Sequence, residues 1–322
     1  FINDEDIKVS YSFNVNVVDY EAPLIFSSKS YSVTEGYDGN LAEELFCGDK
    51  YDDNPTCEIV GDYDINTPGS YSVMFRGIDS SNNVSMNEFN LIVKKKSNSS
   101  SSGGGSLGKG QNFSDLVNKY KTNDTKIGID VSYWQGDIDF DKVKKAGAEF
   151  VIMRMAVSNG KHDKIGLDSY YKKNILKAKK AGLKVGVYVY TAASSEKEVI
   201  EQAKFVRKEL KKTKLDFPIA YDFESWDDIQ KLKLNKYDLI NYVDKFYDEV
   251  HKDGYDVMIY GSKIYLEKAW DKKEYPIWLA HYVPTPSDKS SYEGNYILWQ
   301  IASDGIIDGI NGYVDIDIFY KK

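Results

Sequence analysis

The sequence predicts a multidomain protein in which an all-β sandwich precedes an irregular α/β barrel. Its 322 residues suffice for two domains with separate hydrophobic cores. Short alternating strands with turn residues fill the region before residue 97, whereas strands alternate with Lys- and Glu-rich helical segments after residue 110. This change of period places a domain boundary in the Ser/Gly-rich stretch between the two regions.

The first region repeats a strand pattern. The stretches SFNVNVVDY (12–20) and EFNLIVKKK (88–96) carry Phe-Asn at the same place in a closing strand. We therefore expect residues 1–19 to hold the last strand of a preceding copy, and residues 20–96 to form one complete sandwich. Within it, NTPGSYSVMFRGIDSSNNV (66–84) resembles the Thr-Pro-Gly-x-Tyr-x-Val and Asp-x-x-x-Asn segment of bacterial immunoglobulin-like modules.

The two cysteines of the chain, Cys47 and Cys57, lie close together in this first region. A disulfide between them would close a short loop, stabilise the fold by about 2 to 3 kcal/mol and indicate an oxidising, extracellular setting. Two unpaired thiols are the alternative. In either case the second region has no thiol that could act as a nucleophile.

Residues 97–110 have the composition of a flexible linker. Within the linker, Gly103 to Lys109 matches the spacing of a phosphate-binding loop. However, Gly110 replaces the Ser or Thr that would hold magnesium, and no apolar strand leads into the segment. We therefore reject a nucleotide site and expect no cofactor.

Charge and hydropathy exclude two classes of partner. The formal net charge of −8 opposes nucleic-acid binding, which requires a basic surface. No run of about 18 apolar residues occurs, so we expect no membrane span. The chain starts at Phe1 without an initiator Met or a signal peptide, as expected of a mature or excised fragment. We also expect the protein to be a monomer.

The region 111–322 contains about eight β-rich runs separated by helical segments. Several helical segments end in Gly directly before the next strand, which is a helix stop followed by a strand start. This alternation predicts a parallel, TIM-like barrel that is irregular because few helices separate its last strands. The runs are KIGIDVS, FVIMRMAV, LKVGVYVYT, FPIAYDFES, YDVMIYG, YPIWLAHY, NYILWQIAS and YVDIDIFY, and the helices are expected at 141–146, 168–181, 194–212, 236–253 and 262–270.

Side chains alternate between the two faces of a strand, so each run separates into an aliphatic face and a polar face. If the aliphatic faces contact the helices, the polar faces converge on the barrel axis. A barrel that needed only stability would place branched apolar side chains there, because buried carboxylates cost several kcal/mol each. The polar set comprises Asp130, Arg154, Tyr188, Tyr190, Asp222, Glu224, Tyr260, Trp278, Tyr282, Asp315 and Asp317.

Two acids of this set, Asp222 and Glu224, lie two positions apart in IAYDFES (219–225), about 7 Å along the strand. Repulsion and partial desolvation should raise the pKa of one of them, leaving a proton donor beside a charged partner. Cleavage of a glycosidic bond requires this combination. The structural alternative is that the acids form salt bridges with Arg154 or with lysines.

The motifs GIDVSYWQG (128–136), YDFES (221–225), IWLAHY (277–282), LWQI (298–301) and VDIDIF (314–319) together resemble family 25 glycoside hydrolases. These enzymes are lysozyme-type muramidases. The resemblance covers about residues 125–322. It implies hydrolysis of the β-1,4 bond between N-acetylmuramic acid and N-acetylglucosamine in bacterial cell-wall peptidoglycan, on an irregular β/α barrel and without a metal.

By this resemblance, Glu224 is the proton donor, and Asp222 stabilises an intermediate formed by the substrate's own N-acetyl group. Asp130 matches the acid of the first strand, and Asp315 that of the last strand, with Asp317 of the same parity as the alternative. The expected substrate contacts are Tyr188, Tyr190, Tyr260, Trp278, Tyr282 and Gln300.

Two other functions compete with this interpretation. Asp130, Asp222 and His281 could ligate zinc in a metal-dependent hydrolase. A second possibility is a glycan-binding module without catalysis, although such a module has no need for the Asp222 and Glu224 pair. The resemblance implies a secreted, cell-wall-associated protein and leaves open whether it is an autolysin, a phage lysin or a lysozyme directed at competitors.

Overall fold

The computed structural model describes residues 11–26, 30–42, 45–49, 51–52, 54–95, 110–158, 164–224, 229, 232, 234, 236–270, 275–282 and 290–321. The expected linker at 97–110, apart from Gly110, lies outside these residues, as do residues 1–10 of the expected strand from a preceding copy. Within the described ranges, no helix has both the length and the apolar character needed to cross a membrane.

The described part of the N-terminal region forms two β-sheets. The larger sheet has the order β2-β6-β5-β4, in which only the β2–β6 pair is parallel, and the smaller sheet pairs β1 with β3. The strands are β1 (Leu24–Phe26), β2 (Ser30–Thr34), β3 (Phe46–Gly48), β4 (Thr56–Val60), β5 (Gly69–Ile78) and β6 (Val84–Lys94).

One hydrophobic core joins these two sheets. Ile25 of the small sheet packs with the inward side chains of the large one, including Phe75 and Leu91, which are fully buried. Gly77 permits this approach, because a Cβ at this position would lie 2.6 Å from the Ile25 side chain. A disulfide joins Cys47 of β3 to Cys57 of β4 and so links the two sheets covalently.

The segment 11–20 differs from its expected conformation. Its sequence resembles that of β6, but residues 11–20 have no regular secondary structure, so the closing strand expected at 12–20 is not formed. Its apolar side chains are exposed, as in Phe13 (83 %) and Val17 (90 %). An alternating sequence becomes a strand only when a neighbouring edge accepts its hydrogen bonds, and no described strand pairs with this segment.

The C-terminal region contains eight long strands and the helices that cover them. The strands are β8 (Thr125–Val131), β9 (Phe150–Val157), β11 (Lys184–Tyr190), β12 (Ile219–Asp222), β13 (Val257–Ser262), β14 (Ile277–Ala280), β15 (Leu298–Ile306) and β16 (Val314–Tyr320). Two short strands, β7 (Gln111–Asn112) and β10 (Gly166–Leu167), pair with β15 and β9. The α-helices whose bounds the described residues give are α1 (Phe113–Tyr120), α2 (Phe140–Lys145), α3 (Tyr171–Lys180), α4 (Glu196–Leu210), α5 (Lys236–Val250) and α6 (Lys263–Lys268).

These eight strands close into a barrel because β8 pairs with β9 as well as with β16. The pairs from β8 round to β15 are parallel, whereas β16 is antiparallel to both of its neighbours. The expectation of a parallel, TIM-like barrel is therefore wrong, and the sheet is a mixed β-barrel. Only residues 307–313 separate β15 from β16, fewer than the roughly one dozen that a parallel crossover needs, so the chain reverses direction.

The alternation of side chains divides the apolar residues of the barrel into two groups. The aliphatic faces of the strands pack against the helices, as expected from the sequence. A smaller group fills one part of the barrel interior: Phe150, Ile152, Phe217, Ala220, Met258, Trp278 and Leu298. Gly128 makes room for it, because a Cβ at this position would lie 2.6 Å from the Phe150 ring. On four parallel strands a polar residue follows an apolar interior residue by two positions and lies toward the carboxyl end: Arg154 follows Ile152, Asp222 follows Ala220, Tyr260 follows Met258 and Gln300 follows Leu298.

Candidate active site

Asp222 and Glu224 lie at the end of β12, where the polar part of the interior begins. Asp222 is 5 % exposed, and its Oδ1 atom has no hydrogen-bond partner among the described residues. Glu224 is partly exposed and accepts a hydrogen bond of 2.7 Å from the backbone N–H of Ser262 on the neighbouring strand. The deeper acid is therefore enclosed, whereas the shallower one is oriented by the backbone and remains accessible.

Burial changes the proton affinity of both acids. Burial raises the pKa of Asp222 well above the usual range, the charges of Glu224 and Asp130 raise it further, and the nearby Arg154 opposes this shift. Burial likewise raises the pKa of Glu224, opposed by the hydrogen bond from Ser262. The two groups titrate together, so the unliganded pair retains a proton at a pH at which exposed carboxyls have lost theirs.

Asp130 on β8 and Asp317 on β16 form a second, more deeply buried pair. Burial and the charge of Asp317 raise the pKa of Asp130 well above its usual range, and burial raises the pKa of Asp317 as well. Trp278 Nε1 donates a hydrogen bond of 2.8 Å to Asp317 Oδ1. Asp317 Oδ2 has no hydrogen-bond partner among the described residues. Asp317 is fully buried, so it acts on Asp130 and not on a ligand.

Gln300 on β15 connects the aromatic side of the site to Asp130. Its Oε1 accepts hydrogen bonds from the hydroxyls of Tyr260, at 2.9 Å, and Tyr282. Its Nε2 donates to Asp130 Oδ2 at 2.6 Å. Because the oxygen and the nitrogen of its side-chain amide both form hydrogen bonds, Gln300 fixes the positions of the two tyrosines relative to Asp130.

Asp315 is the more accessible acid of β16. It lies opposite Asp130 in the antiparallel pairing of β16 with β8 and is only partly buried. Burial and the charge of Asp130 raise the pKa of Asp315 to about 8. Of the two candidates on the last strand, Asp315 is therefore the one that a ligand could reach.

The aromatic side chains surround these acids at different depths. The Tyr188 ring packs edge-on against Trp278, with centroids 6.0 Å apart, and Tyr260 contacts the same indole at 4.6 Å. Burial raises the pKa of both hydroxyls, and the neighbouring carboxylates raise it further. Tyr190 is partly buried and pairs with Asp222 in the β11–β12 register, whereas Tyr282 is 49 % exposed.

Two of the expected substrate contacts are placed too deeply for that role. Trp278 is 1 % exposed and belongs to the apolar group inside the barrel, with its N–H committed to Asp317. Gln300 is 2 % exposed, and both its Oε1 and its Nε2 form hydrogen bonds within the protein. Strand parity places Trp278 on the inward face, but parity carries no information about depth.

Arg154 does not neutralise the acid pair, contrary to the structural alternative. Its guanidinium donates to Asp168 Oδ2 through Nε at 3.0 Å and Nη2 at 2.9 Å, and it lies over the Tyr133 ring at 4.9 Å. Asp168 is 4 % exposed and is not among the site residues expected from the sequence. It lies between β10 and α3, at the first position of the helix expected at 168–181, where a lone Asp before a helix is typical of a helix start and gives no sign of a buried ion pair.

The residues of the alternative zinc site do not converge. His281 Nδ1 lies 2.6 Å from Ser290 Oγ, and its pKa is lowered by burial and by Lys263 of α6. Among the described residues, the His, Cys or acidic groups that could bring three ligand atoms within 4.8 Å of one another are Asp19, Asp49 and Asp79. These belong to the N-terminal region and to none of the barrel strands.

A closed barrel with buried carboxyl groups at the carboxyl ends of its parallel strands is typical of a barrel enzyme with its active site at that end. The family model described as glycosyl hydrolases family 25 matches residues 129–310, more than half of the chain. The chain belongs to this family and is a glycoside hydrolase that acts on peptidoglycan.

The chain is also similar to individual proteins in sequence and, for one solved structure, in fold. The uncharacterized protein YegX of Escherichia coli K12 is 30 % identical over 195 residues, which are 60 % of this chain and 68 % of that protein. The autolytic lysozyme of Clostridium acetobutylicum is 31 % identical over 200 residues, 60 % of this chain and 55 % of that one. Among solved structures, the spore cortex lytic enzyme SleM of Clostridium perfringens superposes with a TM-score of 0.54 at 20 % identity, covering 62 % of this chain and 68 % of SleM.

Proposed function

We propose that this protein is a muramidase, which cleaves the β-1,4 bond between N-acetylmuramic acid and N-acetylglucosamine in peptidoglycan. The observation that carries the proposal is the Asp222 and Glu224 pair. Both carboxyls have a raised pKa, lie at the carboxyl end of a barrel strand and form no ion pair with a described cation. Such a pair supplies the proton and the negative charge that glycosidic cleavage needs.

In the proposed mechanism Glu224 is the general acid. It is the accessible member of the pair, and the Ser262 N–H holds one of its oxygens, so the other can reach the leaving oxygen. Substrate binding localises the shared proton on Glu224 and leaves Asp222 ionised. After departure of the leaving group, Glu224 deprotonates the incoming water.

Asp222 acts on the substrate's N-acetyl group in this proposal. That group attacks the anomeric carbon, and the ionised Asp222 orients its N–H and balances the positive charge of the cyclic intermediate. The free Oδ1 atom of Asp222 supports this role, because a buried carboxylate oxygen without a donor can accept the amide N–H of a ligand. Asp130, held by Gln300 and Asp317, and the accessible Asp315 position the sugar and shape the charge of the site.

The decisive experiment is Glu224→Gln, assayed by release of reducing ends from purified cell walls. Typical general-acid contributions predict a loss of at least about 100-fold in kcat, with the fold retained by circular dichroism. Asp222→Asn should be similarly damaging. The matched control is Glu201→Gln on α4, an exposed glutamate that should leave the rate unchanged. Near-native activity of Glu224→Gln would refute the assignment.

Mass spectrometry of the products tests the bond that is cleaved. A muramidase leaves N-acetylmuramic acid at the new reducing end, whereas a glucosaminidase leaves N-acetylglucosamine there. The second outcome would retain the family and overturn the proposed specificity.

We also propose that residues 20–96 form an immunoglobulin-like module that spaces the enzyme from, or along, the cell wall. Two local contacts support the likeness: the Tyr71 hydroxyl donates to the Thr67 carbonyl at 2.7 Å, and Asp79 caps the β5–β6 turn through the N–H groups of Ser81 and Asn83. With the disulfide, these features support a secreted, wall-associated protein.

A further inference from the structure

Two adjacent aromatic residues are exposed directly after β8. Trp134 is 74 % exposed and Tyr133 is 39 % exposed. Their ring centroids lie 4.3 Å apart with an angle of 34° between the planes, so the pair forms one continuous aromatic surface. Contiguous exposed aromatic surface is unfavourable in water and commonly marks a binding site.

The backbone under this aromatic pair is rigidly held. A single 3-10 turn spans Tyr133–Gln135, and Ser132 and Gln135 cap it reciprocally: Ser132 Oγ accepts from the Trp134 N–H, and Gln135 Oε1 from the Ser132 N–H. Gln135 Nε2 also donates to the Tyr313 carbonyl, which anchors the turn to the segment before β16. The turn is therefore positioned by the barrel itself and not by a flexible loop.

The orientation of the Tyr133 ring is also determined by the barrel. The buried Asp168 accepts a hydrogen bond from the Tyr133 N–H at 2.9 Å and binds the guanidinium of Arg154, on which the Tyr133 ring lies. This arrangement keeps the aromatic pair at the surface although the apolar core is close by. The exposure of the Tyr133 and Trp134 rings therefore follows from contacts that the barrel residues make with this turn.

The pair adjoins the acid site. Tyr133 follows Asp130 by three residues on the same end of β8, and Arg154, which contacts the Tyr133 ring, is close enough to Asp222 to lower its pKa. The strands that carry these groups are neighbours in the barrel: β8 pairs with β9, which carries Arg154, β9 pairs with β11, and β11 pairs with β12, which carries Asp222. The aromatic pair and the acids therefore lie at the same end of adjoining strands.

We propose that Tyr133 and Trp134 form a sugar-stacking platform that binds the apolar face of an N-acetylated pyranose of the glycan strand, outside the two sugars whose bond is cleaved. This inference rests on the proposed function and extends it, because it assigns a site that discriminates long glycan strands from short fragments. A ring stacked on Trp134 contributes binding energy away from the reacting bond, so it acts on KM and leaves kcat unchanged.

The test uses the full chain and Trp134→Ala, with Trp134→Phe as the conservative variant and Leu176→Ala, an exposed apolar residue of α3, as the control. In a Glu224→Gln background, calorimetry with an N-acetylglucosamine hexamer should show affinity about tenfold lower for Trp134→Ala, and within threefold of the parent for Trp134→Phe and Leu176→Ala. With native Glu224, KM on long glycan strands should rise about tenfold for Trp134→Ala, and kcat should stay within twofold.

The possible failures are distinguishable. Unchanged hexamer affinity and unchanged KM in Trp134→Ala would overturn the platform while leaving the muramidase assignment intact. An equal loss of kcat would also overturn it, because the platform as proposed binds the substrate and the transition state equally. If cell walls are not hydrolysed but Trp134→Ala still weakens hexamer binding, the platform stands and the proposed function fails.

Discussion

Asp315 should make the stability of the barrel depend on pH, and Asp315→Asn should remove that dependence. In an unfolded chain the aspartate has a pKa near 4, whereas burial and the charge of Asp130 raise the folded pKa of Asp315 to about 8. Between these two values the folded protein binds a proton that the unfolded chain has released. The contribution of Asp315 is therefore fully present below about pH 4 and is lost as the pH rises through about 8.

The magnitude follows from the size of the shift. A difference of about four pKa units corresponds to roughly 5 kcal/mol, at about 1.4 kcal/mol per unit. Solvent reaches part of Asp315, and the neighbouring Asp130 shares in the proton exchange, so the effect attributable to Asp315 is smaller. We expect Asp315→Asn to raise the free energy of unfolding by about 2 to 4 kcal/mol at pH 8.5 and by less than about 1 kcal/mol at pH 4.

The assay is urea unfolding followed by tryptophan fluorescence at several pH values. All five tryptophans follow residue 110, so the signal reports on the barrel region. The control is Asp308→Asn, which replaces an exposed aspartate in the turn between β15 and β16. A gain of equal size at pH 4 and pH 8.5, or no gain at pH 8.5, would contradict the linkage argument.

The remaining predictions concern buried partners. Trp278→Phe removes the N–H that donates a hydrogen bond to Asp317 and should lower the free energy of unfolding by about 1 to 3 kcal/mol at pH 7. The control is Trp134→Phe at an exposed position, which should leave that free energy unchanged. An unchanged urea midpoint for Trp278→Phe would show that Asp317 does not depend on this hydrogen bond. Replacing Cys47 and Cys57 by Ser opens a loop with a sequence separation of 10 and should destabilise the N-terminal region by about 2 to 3 kcal/mol in urea unfolding followed by circular dichroism. Wall hydrolysis by this double variant should remain at the native rate, and a parallel loss of activity would show that the region is coupled to catalysis.

Much of the barrel could be predicted because strand periodicity is a local property. Each of the eight β-rich runs forms a strand, and the two-residue alternation separates the helix-facing side chains from Asp130 and Asp222 inside. Helix α1 was missed. Its eight residues are too few to give a clear periodic signal. Its N-terminal cap is Asn112, whose side chain accepts a hydrogen bond from the Ser114 N–H, and Asn112 directly follows the linker-like stretch.

The direction of the last strand could not be predicted from its own composition. VDIDIF has the same alternation whether β16 is parallel or antiparallel to its neighbours. What determines the direction is the short 307–313 connection together with the need for β16 to pair with both β15 and β8 to close the sheet. Segment 11–20 shows the same limit. An alternating sequence forms a strand only where the edge of a neighbouring strand can pair with its backbone hydrogen-bonding groups, and no described strand does so here.

The amino-acid order alone determined which residue types face the barrel axis, and with them the acidic chemistry of the site, because side-chain parity is set by the backbone geometry of a single strand. How deeply each side chain is buried, and which side chains it contacts, were decided only by the folded structure. Asp315 is accessible while Asp317 is buried, Trp278 supports an acid instead of a ligand, and Arg154 forms its ion pair with Asp168 and not with Asp222 or Glu224. These properties depend on distances between strands that are far apart in the sequence, and such distances exist only once the barrel has closed.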